Sequence, residues 1–339
     1  MEIRGRTLGD GHPALIIAEI GNNHDGSVRQ AERMIDAAAD AGADAVKFQT
    51  HIADAEMLAS TPTPPHFDEP RFQFTQRMEL SLEDHLRLHE HAHMRGLIFF
   101  SSPFSIEAVE LLEQVDVALY KIASGEVTNP PVLEAVAATG KPVLVSSGMS
   151  GPEELKAALA VFRKASSEVV LLQCTSRYPC PPESVNLRAI PALRERFGVP
   201  VSLSDHTPDI HTSVAAVALG AVCIEKHFTL SKLLYGPDHH ASLVPDEFAQ
   251  LVAGVRQVEA ALGSGEKQHD PELDPVRATF EKSLVTRERI QEGTTIVSEM
   301  LTTKRPGTGI PAVRFHEIVG RRAARTLDAN ELLETRDVV

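Results

Sequence analysis

Cysteine is scarce in this chain: three of 339 residues, at Cys174, Cys180 and Cys223. The number is odd and no Cys-x-x-Cys spacing occurs, so a disulfide framework is disfavoured and a reducing compartment fits better. Cys174 and Cys223 sit inside apolar runs, where a free thiol behaves as a small hydrophobe. Positive charge is in deficit, with 33 Lys and Arg against 47 Asp and Glu and a formal net charge of −14 at pH 7. That balance disfavours general binding to nucleic acid or to an anionic membrane, and any phosphorylated ligand needs a local basic pocket. No stretch approaches the length of a membrane span. The first residues, MEIRGRTLGDGHPALIIAEIG, lack the apolar core of a signal peptide. The expectation is a cytoplasmic protein with no membrane and no nucleic-acid partner.

The chain has 42% hydrophobic and 24% charged residues, an ordinary globular balance. Its length exceeds one small domain and suffices to bury a large core without staples. Eight short apolar runs recur: ALIIAEIG (14–21), DAVKFQT (44–50), LIFFSSPF (97–104), LYKIAS (119–124), PVLVSSG (142–148), VVLLQCTS (169–176), VSLSDH (201–206) and VCIEKHF (222–228). Each is nearly continuous in apolar residues, as parallel strands buried on both faces require. Amphipathic segments separate them. In one, Val28, Ala31, Met34, Ile35 and Ala38 share a face; another opens on a Ser-x-Glu-Asp cap signal at residue 81 and stops at Gly96. Eight strand–helix units predict an α/β fold, a (β/α)8 TIM barrel over residues 1–263, with a doubly wound open sheet as the competitor. Residues 264–276, SGEKQHDPELDPV, read as a linker. The texture then changes to short β-like pieces and tight Gly turns, which predicts a small β-rich domain over 277–339.

Every run begins apolar and ends polar. The tips carry Glu19, Lys47 and Gln49, Ser101, Lys121 and Ser124, Ser146 and Ser147, Thr175 and Ser176, Asp205 and His206, and Lys226 and His227. In a barrel, strand C-termini converge on the face where active sites are built. Strands that merely become polar as they surface account for one or two of these tips, not for all eight.

His206 and His227 end neighbouring strands. Two neutral imidazoles can hold a first-row divalent ion and leave positions open, or they can be ordinary polar loop residues. Glu225 and Lys226 do not decide between these, because alternate residues face opposite sides of a strand. Lys47 and Lys121, with Ser124, Ser146, Ser147 and Ser176, suggest a seat for an anion bearing phosphate and carboxylate oxygens. The segment SSGMSG offers backbone N–H groups near a helix start. In GPDHHASLVPDEF, Asp238 is placed to accept hydrogen bonds from a polyhydroxylated substrate, and His239 and His240 read as turn residues. His85, His89 and His93 repeat at helical spacing on a segment preceding a strand, so a solvated helix face is preferred to a metal site there.

An ordered set of segments then sets a resemblance: IAEIGNNHDG, AVKFQT, FFSSPF, YKIASGEVTN, SSGM, CTSRYPCPPESVNL, LSDHT, EKHFTL and GPDHHASL, with KRPGTGI in the tail. Across nearly its whole length the chain resembles the sialic acid synthases, the phosphoenolpyruvate-dependent nonulosonate synthases with a C-terminal antifreeze-like (SAF) domain. The resemblance implies condensation of phosphoenolpyruvate with an open-chain N-acylated amino sugar and release of phosphate, in a domain-swapped homodimer. It implies that His206 and His227 bind a divalent ion, with Mn2+ ahead of Mg2+ or Co2+. It places Lys47, Lys121, Ser124, Ser146 and Ser176 around phosphoenolpyruvate, with Gln49, Tyr178 and Asp238 lining the pocket. Glu19 falls near the reacting carbonyl, and Arg305 reaches the partner subunit's sugar. The catalytic expectation rests on Glu19, Lys121 and His227.

The sequence departs from the family pattern at Cys180, where threonine is common, and at EKSLV (281–285), where a basic pair usually precedes the serine. Residues 52–80 match poorly and are expected to cover the sugar. The acceptor is accordingly expected to be N-acetylmannosamine-like, with a 2,4-diacetamido-2,4,6-trideoxy sugar, as in legionaminic acid synthesis, as the alternative. A related aldose-phosphate synthase and a non-catalytic sugar-phosphate binder are the remaining readings.

Overall fold

The computed structural model describes residues 1–63, 67 and 69–339. The chain divides into two compact units, 1–264 and 265–339.

In the first unit the eight apolar runs form strands β1 (Leu15–Gly21), β2 (Ala45–Thr50), β3 (Ile98–Pro103), β4 (Tyr120–Ile122), β5 (Val143–Ser146), β6 (Val169–Cys174), β7 (Val201–Asp205) and β8 (Cys223–His227). They pair in parallel in sequence order, and β8 closes on β1 to make a barrel. The open-sheet alternative is thereby excluded. A two-stranded hairpin, Glu2–Ile3 with Arg6–Thr7, precedes β1.

A long helix lies in each connection between strands: α1 (Val28–Asp40), α2 (Leu82–Met94), α3 (Ile106–Val115), α4 (Pro130–Ala138), α5 (Pro152–Lys164), α6 (Ala189–Phe197) and α7 (His211–Ala218), with α8 (Pro245–Leu262) after β8. The local chemistry explains their starts. Ser27 caps α1 by accepting from the Gln30 amide, and Ser81 and Asp84 cap α2 reciprocally. The predicted face of α1 is the buried one: Ala31, Met34, Ile35 and Ala38 pack into the main core between barrel and helices. Leu15, Ile17, Phe100, Leu144, Leu172 and Cys223 belong to a second core cluster formed by the opposite strand faces.

The segment after β2 carries two short helices, Ala53–Glu56 and Arg71–Met78. Residues 64–66 and 68 of the expected sugar-covering insertion lie outside the described residues.

The second unit pairs β9 (Ser283–Thr286) with β10 (Leu301–Lys304), antiparallel, over a small core of Leu284, Ile296, Leu301, Ile310, Ile318 and Leu333. Part of the expected linker is ordered here. A helix spans Asp274–Phe280, and its Ala278 carbonyl accepts from the Gly307 amide.

Candidate active site

The strand tips of the first unit line a cavity of about 450 Å3. Glu19, Lys47, Gln49, Lys121, Ser124, Ser146, Ser176, Tyr178, His206, His227 and Asp238 all face it. Two of the expected residues do not. Ser147 follows Ser146 and points the other way; its hydroxyl accepts from the Cys174 amide (3.2 Å) and lies 3.4 Å from Gln173 Oε1. Strand alternation, with a period of two, is the reason. Arg305 belongs to the second unit, where its Nε donates to the Phe280 carbonyl (2.9 Å) and its guanidinium lies 5.7 Å from the Phe280 ring centroid.

The centre of the cavity floor is ionic. Glu225 sits between two ammoniums: Lys121 Nζ is 2.7 and 2.9 Å from its oxygens, and Lys47 Nζ is 3.7 Å away. Ser204 donates a further bond to it (2.8 Å). Lys47 also reaches Glu19 Oε2 (2.9 Å) and Ser102 Oγ (3.1 Å). Register sets this up, because Glu19 is the ladder partner of Lys47 on one side and of His227 on the other. Sequence reasoning left Glu225 unassigned. It lies two residues before His227, so strand alternation puts both on one face, and the intervening Lys226 on the other.

The two carboxyls titrate differently. Burial would raise Glu225, but Lys121 and then Lys47 outweigh it and hold the group well below the usual carboxylate range. Burial pushes Glu19 up to about 7, against the pull of Lys47 and with the Glu225 charge adding to the rise. At neutral pH Glu19 is therefore poised to accept or give a proton. The same shift ties stability to pH. A raised carboxyl stabilises the fold fully below its unfolded value of 4.5, and that contribution is lost as pH rises to about 7. Replacing Glu19 with Gln removes this loss, so the variant gains on wild type by about 1–3 kcal/mol between pH 4.5 and 7 and keeps a constant margin above. Denaturant melts at pH 5 and pH 8 check this; an unchanged difference between the two refutes it.

Burial pushes His206 down to about 4 and His227 well below its ordinary value, the latter with His206 and Lys47 adding. Both rings are neutral at pH 7, the state in which imidazole ligates metal. The Thr175 carbonyl accepts from His206 Nδ1 (2.9 Å), which leaves Nε2 as the lone-pair atom. His227 Nδ1 is buried with no hydrogen-bond partner among the described residues, and the ring centroids are 5.4 Å apart. An orphaned imidazole nitrogen beside a second neutral imidazole suits a divalent cation. Among the described residues no three His, Cys, Asp or Glu side chains form a metal-binding group. Tyr178 packs over His206 at 4.1 Å between centroids and sets its edge against His227 at 5.6 Å.

On the β5 and β6 side, Ser124 Oγ accepts from the Gly148 amide (3.1 Å). A Cβ at Gly148 would lie 2.4 Å from Ser176 Oγ and 2.5 Å from Ser124 Oγ, so only glycine lets the two hydroxyls close on one site. Gln49 donates to Glu19 (2.9 Å) and accepts from Asn22 (3.0 Å). Its neighbour His51 stacks on Phe104 and hydrogen-bonds the cavity-lining Glu56. Glu56, Asn22, Ser102 and Phe104 were not singled out from sequence. Ser102 and Phe104 belong to the β3 tip, where the sequence does not tell which of the adjacent serines faces inward; nothing local marks Glu56.

Three other histidines and cysteines are packed into the fold, whereas Cys174 lines the cavity beside Ser124. His85 is buried, bonding the Ser81 carbonyl (2.9 Å) and Thr50 Oγ1 (3.0 Å), so it is a satisfied core residue rather than part of a solvated face. His239 is likewise buried, against Thr229 Oγ1 (2.7 Å). Cys180 is buried, and its amide donates to the His206 carbonyl (2.8 Å).

The fold and this cavity define a barrel that gathers ammoniums, hydroxyls, a neutral imidazole pair and a titratable carboxyl around one cavity. Comparison with known proteins narrows the class. The NeuB family profile matches residues 34–267 and the SAF domain profile matches residues 281–339. The chain belongs to the NeuB family, the phosphoenolpyruvate-dependent nonulosonic acid synthases. It is 41% identical to the N,N'-diacetyllegionaminic acid synthase of Campylobacter jejuni, over 94% of this chain and 98% of that protein. It is 37% identical to the human N-acetylneuraminate-9-phosphate synthase, over 97% and 94%. Among solved structures it is similar to an N-acetylneuraminic acid synthetase from Leptospira borgpetersenii, with a TM-score of 0.74, 33% identity, and 81% and 94% of the two chains covered.

Proposed function

We propose that this protein condenses phosphoenolpyruvate with an open-chain, N-acetylmannosamine-type amino sugar, releasing phosphate by C–O cleavage. The observation that carries this reading is the convergence of Lys47, Lys121 and Glu225 with the neutral pair His206 and His227 in one cavity. The 41% identity to a diacetyllegionaminic acid synthase favours, as the second reading, a 2,4-diacetamido-2,4,6-trideoxy acceptor.

Lys47 and Lys121 bind phosphate and carboxylate oxygens of phosphoenolpyruvate, and the hydroxyls of Ser124, Ser146 and Ser176 complete the seat. Glu225, ionised between the lysines, keeps both ammoniums aimed into the cavity before substrate arrives. The methylene carbon of phosphoenolpyruvate attacks the sugar's aldehyde carbon, and the aldehyde oxygen takes up a proton to become a hydroxyl. Water adds to the adjacent carbon, the one that bears the phosphate oxygen, and loses a proton. The tetrahedral adduct then expels phosphate with the bridging oxygen while its new hydroxyl gives up its proton, leaving a ketone. Glu19 holds or moves a proton at the aldehyde oxygen, while Gln49 fixes its carboxyl. His206 and His227 would hold the divalent ion, Mn2+ first, with Mg2+ and Co2+ as substitutes. When bound, that ion supplies Lewis-acid polarisation of the aldehyde oxygen. Tyr178 and Asp238 line the sugar side of the cavity.

The reading includes a cytoplasmic enzyme, supported by three free cysteines and, among the described residues, by no helix long and apolar enough to cross a membrane. It also includes a domain-swapped homodimer in which Arg305 acts on the partner's sugar. Mixing an Arg305→Ala protein with a Lys47→Met protein should then restore part of the activity that each lacks alone, because one hybrid site is intact. Phosphate release that stays at the level of the single variants counts against the swap.

The function is tested by mass spectrometry of products from phosphoenolpyruvate, Mn2+ and a panel of N-acylated amino sugars. A nine-carbon 2-keto acid from N-acetylmannosamine supports the first reading, and a product only from the diacetamido sugar selects the second. No turnover with any sugar supports a non-catalytic binder.

A further inference from the structure

Lys226 is fully buried, yet it does not line the cavity. Its ammonium donates to Asp205 Oδ2 (2.9 Å), to the Thr207 carbonyl (2.6 Å) and to Thr207 Oγ1 (3.1 Å), which uses all three of its hydrogens. Asp205 and Thr207 are the chain neighbours on either side of His206, and Lys226 immediately precedes His227. Lys226 and Asp205 are register partners at the end of the β7–β8 ladder, and His206 lies just beyond β7. Asp205 is tied down in turn: its Oδ1 accepts from the Thr207 amide (2.9 Å), and its Oδ2 accepts from Thr212 and Ser213 of α7 (both 2.6 Å).

We propose that Asp205, Lys226 and Thr207 form a buried clamp behind the barrel wall that positions His206 and His227 to share one divalent cation. Alternation makes this possible, since a side chain on the helix side leaves the next residue on the cavity side. One ammonium holds the Asp205 carboxylate on one side of the first imidazole and the Thr207 carbonyl on the other, and its own backbone carries the second. A buried ion pair adds little net stability over an apolar replacement of similar volume, so its siting at this pair of residues is better explained by orientation than by stability. All three are positioning residues and touch no substrate. The inference rests on the metal reading of the histidine pair.

The test is Mn2+ binding to the intact protein, read from the electron paramagnetic resonance signal of free Mn2+, with phosphoenolpyruvate affinity and thermal unfolding measured alongside. Lys226→Met preserves side-chain bulk and removes the three bonds. A folded Lys226→Met protein should bind Mn2+ about 10- to 100-fold more weakly, with phosphoenolpyruvate affinity unchanged. Lys226→Arg, which keeps the charge, should recover part of the loss. Thr207→Val keeps the ion pair and loses one of the ammonium's bonds, so it should weaken Mn2+ binding less. Wild-type Mn2+ affinity in folded Lys226→Met overturns the clamp, as does wild-type affinity in Thr207→Val should Lys226→Met not fold. No Mn2+ binding by the wild-type protein, or undiminished binding by His206→Ala or His227→Ala, overturns the metal reading and the clamp together. That outcome is distinct from one confined to Lys226→Met.

Discussion

Replacing His227 with alanine should reduce phosphate release by about 1,000-fold or more while the protein stays folded. The ring is buried and its Nδ1 has no hydrogen-bond partner among the described residues, so removing Nδ1 leaves no partner group unpaired. What it does remove is one of two neutral imidazoles whose centroids lie 5.4 Å apart. Mn2+ affinity should fall with the rate, and phosphoenolpyruvate should still bind, because its lysine and serine seat is untouched. Calorimetric titration of Mn2+ and of phosphoenolpyruvate separates the two effects. Phosphate release at the wild-type rate in this variant, or in wild-type protein stripped with EDTA, would refute the metal role.

The second large effect is expected at Lys121. Its ammonium is within 2.9 Å of both Glu225 oxygens. In Lys121→Met the Lys47 ammonium is left to serve both Glu19 and Glu225. Breaking a buried pair on one side costs about 3–5 kcal/mol, far more than a surface ion pair contributes. Stability and phosphoenolpyruvate affinity should both drop. Adding Glu225→Gln removes the uncompensated charge, so the double variant should regain much of the stability but none of the affinity. The pH dependence has a definite sign. In wild type the depressed Glu225 stabilises the fold above its unfolded value of 4.5, and this is lost only as pH falls far below. In Lys121→Met the carboxyl loses the larger of its two lysine partners and is held down less, so the deficit relative to wild type shrinks as pH falls through about 4.5. Denaturant melts from pH 4 to pH 8, with phosphoenolpyruvate titrations, check each part. A Lys121→Met protein as stable as wild type at pH 7 would show that Glu225 is held by other groups.

Much of this site is readable from strand tips. Apolar runs that end in Glu, Lys, Ser or His mark where a parallel strand leaves the core, and the barrel gathers those ends. What the tips do not give is phase. Where two polar residues follow one another, either can face inward: Ser102 lines the cavity rather than Ser101, Ser146 rather than Ser147, and Glu225 rather than Lys226. A period of two fixes which residues agree with one another, not which set points in. His227 supplied that reference for Glu225. Among the α2 histidines His85 alone departs from the solvated-face reading: helical spacing groups it with His89 and His93, but packing against Thr50 buries it while His93 stays exposed.

The sequence by itself determined the eight-fold strand–helix rhythm, the reciprocal cap at Ser81 and Asp84, and the set of chemical groups at the strand ends. Those follow from local periodicity and from which residues tolerate burial. Only the tertiary structure decided that Lys47 spans Glu19 and Glu225, and that Lys226 grips both neighbours of His206. These contacts join residues far apart in the chain, and they exist because closing the barrel sets β8 beside β1 and β7 in a fixed register. Closure also brings burial, and burial gives Glu19 and the imidazoles pKa values that their residue types do not have in water.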